Sequence, residues 1–133
     1  MLKNIGVAFV IAGGLVGAAA AQSPDVGEGL YGQYCSSCHG STGAGDGPMA
    51  EYLTVKSPDL TGLSAANEGV FPMLNVIHII DGRTGVRGHG GQMPVFGDAF
   101  MAEHPAQERD YADVLATRGR VLSLAMYLET IQK

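Results

Sequence analysis

Two thiols and an imidazole stand together in this sequence, at Cys35, Cys38 and His39, and the chain has no other cysteine. Thiols three positions apart can bond two points on one flat ligand, while the neighbouring imidazole can hold a metal at its centre. The order Cys-x-x-Cys-His is the attachment signature for c-type haem, with one thioether bond from each cysteine and His39 as an axial ligand of the iron. Three other chemistries use a Cys-x-x-Cys pair. A redox dithiol calls for a βαβ context, and none is visible. A zinc site needs two more ligands at finger-like spacing, whereas His78 and His89 lie eleven residues apart without a matching motif. An exported chain can also hold the pair as a disulfide. The adjacent His39 and the absence of further cysteines favour haem.

A haem iron held from both faces would take its second axial ligand from a methionine or another histidine. Met93 is the expected ligand. Pro94 follows it and stiffens the chain, and Gly90 and Gly91 before it let backbone approach a flat ring. A thioether there raises the reduction potential relative to a second imidazole. His89, four residues earlier, is the main rival. Met73 and Met126 fall on helix faces as packing residues, and Met49 and Met101 lack the glycine and proline frame. His78 reads as a half-buried structural residue, and His104 as a surface residue beside Pro105.

The elements that must position these residues read as helices. Residues 22–27 form a polar lead, and 28–37 a helix with Leu30, Tyr31 and Tyr34 on one side. A glycine-rich loop follows over 40–48, then a short helix over 49–55 that Ser57-Pro58-Asp59 breaks. A second helix spans 71–81, with Pro72 in its first turn, Gly82 as its stop and Met73, Val76, Ile77 and Ile80 on one face. Residues 99–114 hold a short helix and an irregular insert around His104-Pro105. The last helix, capped by Thr117, repeats Val121, Leu124, Ala125, Leu128 and Ile131 at helical spacing. No alternating strand pattern of useful length occurs, so the fold class is all-α.

Residues 1–21 have the layout of a secretory leader: one lysine, an apolar stretch over 5–18, then Ala19-Ala20-Ala21 as a cleavage site. The apolar run is short for a membrane span and diluted by four glycines. Cleavage near Ala21 and a periplasmic location are expected, with a haem domain over 22–133. Losing Lys3 leaves seven basic against thirteen acidic residues. Such a surface disfavours nucleic acid and anionic membranes, and suits a protein partner with a basic patch. Membrane contact is then expected only through a membrane-bound partner. So short a chain makes a marginal core, which a large apolar cofactor would help to fill.

Five segments in order, together with Cys35-Ser36-Ser37-Cys38-His39, resemble a bacterial class I c-type cytochrome. They are Gly27, Tyr31 and Cys35 at four-residue steps; His39-Gly40 with the 43–48 loop; Ser57 to Leu63 with its Pro58-Asp59-Leu60-Thr61-Gly62 core; Gly90 to Gly97 around Met93-Pro94; and Leu124, Tyr127 and Leu128. The resemblance implies a helical fold wrapped around one covalent haem, and one-electron transfer with no catalytic residues. It implies that the Pro58 carbonyl accepts a hydrogen bond from His39 and that residues 90–97 form the distal-ligand loop. It also implies that Gly27 lets the first and last helices approach closely. Arg83 and Arg87 would pair with haem propionates or stand as solvated charges. The segment 99–116 is longer than in short members, as a docking surface or as elaboration. Two rival functions remain: a haem subunit of a periplasmic oxidoreductase, and a haem sensor or peroxidase with an exchangeable distal ligand.

Overall fold

A computed structural model describes residues 23–83, 93–103 and 105–133. Helix α1 spans Pro24–Tyr34. Ser23 caps it by accepting from the Val26 N–H, Pro24 opens it and Asp25 favours its first turn. The helix therefore begins inside the stretch expected to be a polar lead; the Ser-Pro-Asp run is the start signal that was missed. Ser36 then donates its hydroxyl back to the Gly32 carbonyl at 2.7 Å, a bond that competes with the helical ladder. The chain bends at Cys35 and continues as the short helix α2, Ser36–His39.

Only a single turn of 3₁₀-helix, Ala50–Tyr52, forms where a helix was expected over 49–55. The chain turns extended at Leu53, with ψ of 132°, and the turn ends there. A second such turn, Ala65–Asn67, was not foreseen. Helix α3, Met73–Asp81, starts just after Pro72 and ends at Gly82, whose φ of 68° satisfies the His78 carbonyl. Val76 and Ile80 are buried, with Met73 and Ile77 packed beside them, as the stripe requires. His78 instead points to solvent, which corrects its expected half-burial.

Helix α4, Phe96–Ala102, begins three residues before the expected position because Phe96 and Phe100, four apart, both enter the core. Helix α5 runs Tyr111–Thr130. Its cap is not Thr117. Asp110 accepts from the N–H groups of Ala112 and Asp113, and the Asp113 carboxylate accepts from the Asp110 N–H. Thr117 lies buried within the helix.

The core forms where α1 crosses α5, with α3 and α4 packed on the same helix. Val121, Leu124, Ala125 and Leu128 of α5 are nearly inaccessible; burying each large side chain contributes about 1.5–3 kcal/mol. Gly27 sits at the crossing. A Cβ there would overlap the Ser123 carbonyl and stand 2.7 Å from the Tyr127 Cβ, so the helices touch only because this residue has none. Beyond it, the Tyr31 and Tyr127 rings pack at 5.2 Å between centroids. The described residues contain helices and no strand, which bears out the all-α reading. Among them, no helix is long and apolar enough to cross a membrane.

Candidate functional site

The helical turn Ser36–His39 ends in carbonyls that need donors. The glycine-rich loop supplies them by folding back. The N–H groups of Met49, Gly47 and Gly45 donate to the carbonyls of Ser37, Cys38 and His39 at 2.8, 3.3 and 2.8 Å. The Gly40 carbonyl is taken from the other side by the Tyr31 hydroxyl, at 2.7 Å. The Cys-x-x-Cys-His segment is thereby fixed between α1 and its own loop.

His39 Nδ1 lies 3.3 Å from the Pro58 carbonyl. A carbonyl can only accept, so Nδ1 carries the hydrogen and Nε2 keeps the lone pair that a metal would take. The Pro58 peptide is itself held. The Leu60 N–H donates to the Gly43 carbonyl at 2.7 Å, and the Asp59 carboxylate accepts from the Thr61 hydroxyl and N–H. Those two bonds, the hydroxyl's first, hold the Asp59 carboxyl below the usual carboxylate range.

Cys35, Cys38, His39, Pro58 and Met93 all line one cavity of about 590 Å³. Its walls are mainly apolar and come from every helix except α4's far end, with Ile79, Phe96 and Leu124 among them. That volume and lining are typical of a cofactor site. Burial, then the neighbouring Cys38, pushes the Cys35 thiol up to about 11. Among the described residues, no group of three or more His, Cys, Asp or Glu side chains is placed to hold a metal ion. Neither cysteine is in a disulfide.

A family model described as cytochrome c oxidase, cbb3-type, subunit III, matches residues 22–109. The chain belongs to this family. It is a c-type cytochrome with a haem-binding, electron-transferring function, as the resemblance implied. Membership implies a covalently bound haem with its iron, and the cavity suits it: thiols, imidazole and thioether share one apolar enclosure. No curated protein and no solved structure matches the chain significantly.

Several expected residues take other places. The exposed Arg83 guanidinium forks onto Asp81 through Nε and Nη2. The leader at 1–21, Arg87, His89, Gly90, Gly91 and His104 lie outside the described residues. The longer segment after Met93 is anchored at Glu103, which accepts from the Tyr34 hydroxyl at 3.0 Å and pairs with Arg120. Tyr34 also lines the cavity, and Arg120 lies over the Phe100 ring at 5.2 Å. Sequence reasoning missed the Tyr31 hydroxyl's role, since helical spacing marks the ring as packing and says nothing of its acceptor.

Proposed function

We propose that this chain carries one haem, bonded through Cys35 and Cys38 and ligated by His39 and Met93, and that it works in the periplasm as a one-electron carrier. The observation that carries the reading is the meeting of these four side chains on one apolar cavity. Bound there, the haem would supply an iron that alternates between two oxidation states. Cys35 and Cys38 tether the ring at two points, so it does not dissociate. The Pro58 carbonyl orients the His39 ring and fixes which nitrogen faces the cavity with its lone pair. Met93 favours a higher potential than a second imidazole would. The apolar walls keep water from the metal. His39 and Met93 would together leave no place on the metal for a substrate, and the chain would then need no catalytic residue.

Partners are then redox proteins that dock briefly through small interfaces. An acidic chain suits basic patches, and association should slow as salt rises. The leader-like residues 1–21 support export. The family's description favours a second reading, a subunit held in a cbb3-type oxidase assembly. Co-purification with such an assembly at fixed stoichiometry distinguishes it from a free carrier.

The ligand set is tested on the mature holoprotein. Its mass should exceed the polypeptide by one macrocycle. The oxidised form should show the weak sulfur-to-iron band of His/Met ligation, lost in Met93→Ala and kept in His89→Ala. A colourless product, or the reverse pattern in the two variants, refutes the proposal. Rapid carbon monoxide binding at neutral pH would favour a sensor or peroxidase.

A further inference from the structure

Gly82, at the end of α3, and Val95, two residues after Met93, touch. Gly82 adopts the left-handed conformation, and a Cβ there would lie 3.3 Å from the Val95 Cα. Beside this contact Asp81 and Arg83 form a two-point ion pair, Nε to Oδ1 at 2.6 Å and Nη2 to Oδ2 at 2.7 Å. The Arg83 N–H adds a longer bond to the same carboxylate, at 3.3 Å.

The pair rests against Gly97 in the first turn of α4. A Cβ at Gly97 would stand 2.5 Å from the Asp81 Oδ1 and 2.9 Å from the Arg83 Cδ, and would overlap the Arg83 Nε. Opposite charges from two more elements attend the pair, Arg118 of α5 towards Asp81 and Asp98 of α4 towards Arg83. The ion pair therefore fills the space that Gly97 leaves, and joins the end of α3 to the start of α4. Met93 lies only two residues before the contact at Val95, packed against the core.

We propose that Asp81, Arg83 and Gly97 clasp the contact of Gly82 with Val95 and so position the Met93 thioether, which rests on Met93 being an axial ligand. A forked guanidinium–carboxylate pair fixes direction as well as distance, which a single point charge does not. Asp81, Arg83 and Gly97 are positioning residues: none of the three lines the cavity. Their effect is on the balance between Met93 in place and Met93 displaced. An external ligand binds only the displaced state, so its apparent affinity reports that balance directly.

The test titrates the oxidised holoprotein with imidazole. Gly97→Ala and Asp81→Asn should each bind it roughly twofold to fivefold more tightly than the wild type, the range expected for losing one partly exposed ion pair. Arg83→Lys keeps the charge but not the fork, and should fall between. Alanine is a better helix former than glycine, so Gly97→Ala separates loosening of Met93 from general unfolding. Tighter imidazole binding with little change in urea midpoint supports the clasp. Affinity that rises only in step with lost global stability overturns it. A wild type with the sulfur-to-iron band, but with imidazole affinity unchanged in both variants, also overturns the clasp and leaves Met93 standing. A wild type without that band overturns both.

Discussion

Tyr31→Phe removes one oxygen from the middle of the molecule and little else. The ring is 2% exposed and packs on Tyr127, a contact phenylalanine keeps. What goes is the 2.7 Å bond to the carbonyl of Gly40, the residue after His39. Losing this buried hydrogen bond costs about 0.5–1.5 kcal/mol, because the Gly40 carbonyl still accepts from the Gly43 N–H at 3.3 Å. In a domain of this size each kcal/mol lowers Tm by about 4–8 °C. Urea unfolding of the holoprotein, followed by far-UV circular dichroism, should show a lower midpoint at an unchanged slope. The same residue gives an alkaline signature. Burial first, then the charges of Cys35, Tyr127 and Asp46, push the Tyr31 hydroxyl from 10.0 up to about 12. Between about pH 10 and 12 the unfolded chain has released this proton while the folded chain still holds it. Wild-type stability therefore falls as pH rises through that window, and Tyr31→Phe loses this part of the decline. Equal midpoints at neutral pH, or the same alkaline slope in both proteins, would refute the assignment of this bond.

Two further substitutions probe the frame. Gly27→Ala places a methyl on the Ser123 carbonyl and should destabilise by about 1–3 kcal/mol, whereas Gly29→Ala, with open space around it, should be neutral or stabilising by up to about 1 kcal/mol. Thermal melts of both variants check the pair, and similar behaviour would count against the close crossing of α1 and α5. Asp110→Ala removes the cap of α5 and should cost about 1 kcal/mol, with faster hydrogen exchange confined to its first turns. Unchanged exchange there would argue that the helix starts later, near Thr117.

The segment 35–39 announces its chemistry in five letters because the requirement is local: two thiols and an imidazole must reach one ring from adjacent turns. The stripe over α3, its stop at Gly82 and the apolar face of α5 were legible for a similar reason, since helical periodicity depends only on near neighbours. The starts of α1 and α5 are also written locally, in Ser23-Pro24-Asp25 and in the Asp110 and Asp113 pair, ahead of the starts expected at residue 28 and at the Thr117 cap. Other features had no local signature at all. That the Tyr31 hydroxyl reaches Gly40, that Arg83 turns onto Asp81 across Gly97, and that Tyr34 meets Glu103 depends on which helices pack together. A side chain's chemistry is set by its own atoms, so residue type and spacing reveal it. Its partner is set by the closure of distant segments, so only the folded chain decides it.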